Sequence, residues 1–319
     1  MANPATGATS ELRYGWETSY ASEQGTKDKV FGHGTKIVTL TRNNNLESVF
    51  NVGQRNAQAL AEKQFGGSLS VEFILANPWW LRAVLGAAPS TTGAGPYTHT
   101  YSESNTIVSM SIENEITSDT ASVTAFLGCK VNTCVITAAV GELVKVRLDM
   151  IYANEAEDTS VAADVEESFA LFSFAFATLE FPNGSTINDI QTVEITINNN
   201  AEMVYGLGSR IGQQLPVKNR SYTARISRTF EDAATFLEAF YGLGTGPDTI
   251  VEETATMEVN FDNGLTTTNQ RKFAFLFTGV KIDEHNMPQD SAALVIEDLS
   301  LIMRDLTSVI VTNNTSAAA

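Results

Sequence analysis

The sequence predicts a mainly β protein made of two tandem copies of one unit, each with one short helix. Three observations predict it. Most segments alternate apolar and polar residues with period two. Only two segments carry helix punctuation. And one phrase is written twice, "NNNLESVFNVGQR" from Asn43 to Arg55 and "NNNAEMVYGLGSR" from Asn198 to Arg210.

The strands come in order along the chain. "KIVTLTR" (Lys36 to Arg42), "SLSVEFIL" (Ser68 to Leu75), "TIVSMSIE" (Thr106 to Glu113) and "ELVKVRLDMIY" (Glu142 to Tyr152) read as half-buried strands. The pattern returns in "QTVEITI" (Gln191 to Ile197), "YTARISRTF" (Tyr222 to Phe230), "TATMEVNF" (Thr254 to Phe261) and "RKFAFLFTGV" (Arg271 to Val280). "NPWWLRAVLG" (Asn77 to Gly86) has Asn as a candidate N-cap, Pro in the first turn and Gly at the stop, so it reads as a helix. "EDAATFLEAFYG" (Glu231 to Gly242) opens acidic, ends in Gly and reads the same way.

Sliding residues 36–154 over residues 191–305 extends the repeat beyond the opening phrase. Val38 meets Val193, Glu47 meets Glu202, Gly53 meets Gly208 and Arg55 meets Arg210. With one insertion, Trp80 meets Phe236 and Gly86 meets Gly242. "FLGCKV" (Phe126 to Val131) then meets "FTGVKI" (Phe277 to Ile282), and Val144, Leu148 and Ile151 meet Val295, Leu299 and Ile302. Four blocks in one order point to a duplication rather than to the shared chemistry of strands. The expected layout is a polar segment 1–35, a first unit 36–154, an acidic linker 155–167, a second unit 168–311 and a tail 312–319. "FALFSFAFATLEF" (Phe169 to Phe181) is too short to span a membrane and suits a buried strand. It has no obvious partner in the first unit unless that partner lies in the polar N-terminal region.

A formal net charge of −17 excludes a general basic face for gripping nucleic acid, because that affinity comes from Lys and Arg. The two cysteines, Cys129 and Cys134, read as free thiols of a reducing compartment, with pairing across a short loop as the alternative. No charged-then-apolar leader and no membrane span is expected, which suits a soluble protein made in a cytoplasm. His33, His99 and His285 are far apart, so neither a zinc site nor any other cofactor is expected. "GLGTGP" (Gly242 to Pro247) follows a helix and lacks Lys-Ser/Thr, so it is a turn and not a phosphate loop. No nucleophile–base signature is present, and the expectation is a protein that is not an enzyme.

The repeated loops are longer than hairpins need. "QRNAQALAEKQFGG" (Gln54 to Gly67) holds Gln54, Arg55 and Lys63; "SRIGQQLPVKNR" (Ser209 to Arg220) holds Arg210, Lys218 and Arg220. In a chain this acidic, basic loops suit an acidic surface on another copy, and such end-to-end contacts propagate as filaments. Solvated loop charges are the alternative, and the residues alone leave both readings open.

The opening "ELRYGWETSYAS" (Glu11 to Ser22), followed by duplicated strand-rich units and a polar tail, resembles the tail tube proteins of tailed phages and related viruses. The resemblance implies β-sandwich or barrel-like domains that self-assemble into rings, stacked as a hollow tube in the virion tail. A duplicated chain is then expected to form three-membered rings with pseudo-sixfold symmetry, assembled in the host cytoplasm. Further partners implied are tail terminator, baseplate and tape-measure proteins, while DNA passes the lumen without specific binding. The resemblance casts the loop residues as inter-ring contacts, and Glu113, Glu115 and Glu258 as carboxylates facing the lumen. Another ring-forming component (a terminator, baseplate or secretion-type tube) and a β-sandwich binding module are the alternatives.

Overall fold

The computed structural model describes residues 7, 10–23, 26–117, 121–158, 161, 171–230, 236–241, 246–247, 255–266, 269–291 and 294–315. The first run of elements is β1 (Ser10–Trp16), β2 (His33–Asn43), β3 (Glu47–Val49), β4 (Ala59–Ala61), β5 (Gly66–Ile74) and α1 (Leu81–Leu85). It continues through β6 (Ser90–Thr92), β7 (Tyr97–Tyr101), β8 (Met110–Thr117), β9 (Ala121–Ala139), β10 (Lys145–Tyr152) and β11 (Asn154–Asp158). The second run has β12 (Ala177–Glu180), β13 (Thr186–Ile187), β14 (Ile190–Asn198), β15 (Val204–Tyr205), β16 (Gly212–Gln214) and β17 (Ser221–Thr229). It ends with α2 (Phe236–Phe240), β18 (Thr256–Asp262), β19 (Lys272–Asn286) and β20 (Ile296–Asn313).

Among the described residues, sixteen strands join one antiparallel sheet. Its first run pairs in the order β1-β8-β9-β10-β5-β2, and its second in the order β12-β18-β19-β20-β17-β14. The runs meet where β14 pairs with β9, from Thr192 opposite Ala139 to Asn198 opposite Thr133, and again where β7 pairs with β20, from Tyr97 opposite Asn313 to Tyr101 opposite Val309. One consequence is that β9 serves two neighbours along one side. Ala121–Cys129 pairs with β8 and Thr133–Ala139 pairs with β14. A glycine with positive φ sits near that handover, Gly128 (φ 69), and its counterpart in β19 is Gly279 (φ 64). The repeated "FLGCKV" and "FTGVKI" therefore mark the same bend, in a backbone region that side chains with a Cβ rarely adopt.

The alternation seen in the sequence becomes two faces. On the covered face, Val71, Phe73, Ile136, Val146 and Leu148 of the first run and Ile195, Ile226, Leu299 and Leu301 of the second are buried. Trp80 leads into α1 and is fully buried, with its ring 5.6 Å from Phe73, which continues to Phe31 at 5.7 Å and Tyr14 at 4.4 Å. Gly86 ends the helix, its amide donating to the Arg82 carbonyl at 2.9 Å. Asn77 fixes the approach to α1: its amide donates to the carbonyls of Val30 and Phe31 at 2.9 and 3.2 Å. α2 is equally short, and the expected start of that segment, residues 231–235, lies outside the described residues.

One of the core differences between the runs places charge in the interior. Phe73 pairs with Val146 in the first, while Arg228 pairs with Glu297 at the corresponding place in the second. Arg228 Nε donates to Glu297 at 2.6 Å, and His285 Nε2 lies 2.5 Å from the other carboxylate oxygen. The guanidinium also sits 4.3 Å from the Phe236 ring centroid. Both partners of the pair are buried, so the ion pair is held by reciprocal bonding and not by solvent.

Four expectations change. The N-terminal segment is not wholly irregular: β1 pairs with β8 and buries Leu12 and Tyr14, because "ELRYGW" alternates like a strand within polar surroundings. β1 also answers the question of the missing partner, since it lies on β8 as β12 lies on β18. The start of the expected linker is strand β11, paired with β9 from Asn154 to Asp158; residues 159–160 and 162–167 lie outside the described residues. Of the described residues 171–181, Ala177–Glu180 forms a strand, and residues 169–170 lie outside the described residues. Phe174 and Phe176 sit exposed in a single 3-10 turn, since consecutive apolar residues cannot all face one core. The cysteines are free and buried on β9, and burial raises both thiol pKa values.

Glu297→Ala leaves Arg228 buried without its carboxylate and is expected to cost about 3–5 kcal/mol in urea unfolding. Replacing the cluster with its first-run equivalents, Arg228→Phe, Glu297→Val and His285→Cys together, is expected to be near neutral. Loss of more than about 3 kcal/mol in the triple variant contradicts the equivalence of the two sites.

Candidate assembly interface

The two triple-Asn phrases build one corner each. Asn45 (φ 46) and Asn200 (φ 48) take the left-handed conformation that Asn tolerates. The side-chain oxygen of the first Asn accepts from the amide of the third, Asn43 from Asn45 at 2.8 Å and Asn198 from Asn200 at 2.9 Å. The third Asn then closes the loop: Asn45 donates to the Gln64 carbonyl at 2.8 Å and Asn200 to the Asn219 carbonyl at 2.7 Å. Each corner thus clamps both ends of a projecting hairpin arm. Arm one carries β3 and β4, and arm two carries β15 and β16. An ion pair braces each, Glu47 with Lys63 and Glu202 with Lys218.

The middle Asn differs between arms. Asn199 is buried: it donates to the carbonyls of Val84 and Val131 at 3.1 and 3.0 Å and accepts from Arg220 Nε at 2.6 Å. Arg220 also lies near the carbonyls of Val84 and Leu85 that end α1, and pairs with Glu103 at 3.0 Å. Asn44 stays exposed and accepts from Arg210 at 3.0 Å. Arg210 also donates to the Lys63 carbonyl at 2.7 Å and pairs with Glu62, while Tyr205 donates to the Phe65 carbonyl at 2.7 Å. Arm two therefore leans on the base of arm one within the chain.

The six candidate loop residues separate on these contacts. Arg210 and Arg220 act inside the chain, and Lys63 and Lys218 brace their own arms. Gln54 and Arg55 stand exposed at the tip of arm one, and Arg55 has no side-chain partner among the described residues. Beside them the turns present apolar side chains that sequence reasoning passed over. Val52 is 105% exposed and Leu207 is 108% exposed, each followed by a glycine with positive φ. Leu46, Phe50 and Leu60 add further exposed apolar surface to arm one. An arm with this much apolar side chain in water has the composition of a contact surface.

The sheet leaves two further surfaces open. Among the described residues β2 pairs only with β5, and beyond the stretch paired with β18, β19 has only β20 beside it from Lys281 to Asn286. The uncovered face of the sheet is rich in hydroxyls, including Thr39, Ser70, Thr137, Thr196, Thr223 and Ser300. Several of its charges are matched, Lys36 with Glu72 at 2.6 Å, Arg147 with Asp149 at 3.0 Å, and Glu194 opposite Arg225 across neighbouring strands, while Glu284 and Asp298 add exposed carboxylates. The three candidate carboxylates lie elsewhere. Glu113 is buried on β8 and bonded to Lys27 at 2.6 Å, Glu115 accepts from Thr117 at 2.7 Å, and Glu258 on β18 faces Glu180 of β12. Burial pulls the Lys27 pKa down, but bonds to Glu113, Glu23 and Asp158 outweigh it and leave the net shift upward.

Among the described residues no group of three or more His, Cys, Asp or Glu could hold a metal ion, and no helix is long and apolar enough to cross a membrane. A family model described as "Phage tail tube protein" matches residues 7–299. No curated protein matches the chain.

Asn45→Ala removes the clamp and places a Cβ without amide support in the left-handed region. It is expected to cost about 1–3 kcal/mol locally. Limited proteolysis should cut residues 46–62 faster while the melting of the rest is unchanged; unaltered cutting contradicts the clamp.

Proposed function

The chain belongs to the phage tail tube protein family and is a structural component of the virion tail, and from that premise we propose how it builds the tube. The two runs of strands are one tube unit written twice, so that one chain fills two of the positions in a ring. Three copies make a ring with pseudo-sixfold symmetry, and rings stack into a hollow tube in the host cytoplasm. The single observation that carries this reading is the matched order of pairing in the two runs, joined at β14–β9, with β2 and the far end of β19 lacking a second neighbour among the described residues. Long open edges are aggregation hazards unless another strand covers them.

The covered face carries α1 and the β1–β8 and β12–β18 layers, which need the larger circumference and so lie outside. The open face then lines the lumen. DNA passing there meets hydroxyls, paired charges and the carboxylates of Glu284 and Asp298, and so little of the cationic surface that holds phosphates. No step of this role needs catalysis, and the protein acts as a scaffold. The arms project to the next ring, with Val52, Gln54 and Arg55 of arm one and Leu207 of arm two as contacts. The ends of the stack meet the terminator, baseplate and tape-measure proteins.

Electron microscopy of the purified protein tests this directly: long hollow tubes are expected. Isolated rings would favour a terminator or baseplate role, and persistent monomers a binding module. Joint Val52→Asp and Leu207→Asp places charge in the proposed ring-to-ring contact and is expected to abolish long tubes while rings persist. An unchanged length distribution would contradict stacking through the arms.

A further inference from the structure

We infer that Asp283 of one copy seats the Asn43–Leu46 corner of the next, a contact that deepens the ring reading and rests on it. The template is inside the chain. Where β9 runs beside β10, the pairing jumps from Thr133 to Val131 and bypasses Asn132. That bulge holds the corner of arm two. The Asn132 carbonyl accepts from the Asn199 amide at 2.7 Å, and its side-chain oxygen accepts from the Ala201 amide at 2.8 Å. Lys130 adds a bond to the Leu215 carbonyl at 3.0 Å, farther along the same arm.

The second run repeats the bulge, and Asp283 there binds no corner among the described residues. β19 beside β20 jumps from Ile282 to Glu284 and bypasses Asp283. Asp283 is exposed and presents a side-chain oxygen as Asn132 does, and Lys281 precedes it as Lys130 precedes Asn132. The first run in turn repeats the corner. Asn43, Asn44 and Asn45 make the same turn as Asn198, Asn199 and Asn200. The amides of Asn44 and Leu46, the equivalents of the two that Asn132 satisfies, find no acceptor among the described residues. The corner lies on β2, the terminal strand of the first run, and the seat on the stretch of β19 that extends past β18, so a second copy brings them together.

Transferring the internal register sets β2 antiparallel to the free side of β19, with Asn43 opposite Glu284 and Thr41 opposite Asn286. The Asp283 carbonyl then takes the Asn44 amide and its carboxylate the Leu46 amide, a charged acceptor that strengthens the second bond relative to an amide oxygen.

Two chains with one added cysteine each, Thr41→Cys and Asn286→Cys, test the register, since both positions are exposed and the native cysteines are buried. Oxidation is expected to give a disulfide-linked pair only when the two are mixed, and a covalent trimer when one chain carries both. Tubes without either cross-link would overturn this seam and leave the tube reading standing. Cross-links without tubes would support the seam and count against stacking. Neither cross-links nor tubes would overturn both. Asp283→Ala is expected to raise the concentration needed for rings roughly tenfold with unchanged monomer melting, and Asp283→Asn to restore assembly. Equal assembly of the alanine variant would overturn the role of Asp283.

Discussion

The structure depends on a mismatch of strand lengths. β9 runs from Ala121 to Ala139 but β8 covers only its first part, so backbone groups along Thr133–Ala139 need another strand. β14 supplies it and thereby fuses the two runs into one sheet. β19 outruns β18 in the same way and, among the described residues, finds no second neighbour. Buried or not, a row of amides and carbonyls has a strong demand for pairing. The demand met within the chain and the demand left open at its end are chemically alike.

That likeness explains where the runs are allowed to differ. At the core, Phe73 and Val146 can become Arg228 and Glu297, because each pair is self-contained. Away from the internal seam, Asn44 replaces the buried role of Asn199 with an exposed one, and the first arm is freed to meet something else. What stays alike are the bulges at Asn132 and Asp283, the glycines at the strand bends and the Asn corners. These are the features that fix how one unit sits beside the next.

Much of this was legible in the sequence. Period-two alternation gave the strands, and the repeated phrase located both arms. The triple Asn had no assigned role there, since its work depends on Gln64 and Asn219, which only the folded hairpin brings near. β1 was passed over because its polar surroundings mask a strand that burial of Tyr14 makes plain. The charges of the loops misled for a physical reason: Arg210 and Arg220 find carbonyls and carboxylates of the same chain, and pairing of that kind leaves no periodic trace. The exposed Val52 and Leu207 were visible as matched residues, but their exposure was not.

The central claim is that copies of the chain continue one sheet around a lumen through a seam like the internal one. A helical reconstruction of the assembled tube at side-chain detail tests it most directly. The account predicts three chains per ring, β2 of each beside β19 of the next, and the hydroxyl-rich face turned inward. A ring in which the sheet stops at each chain boundary, or in which α1 faces the lumen, would contradict it.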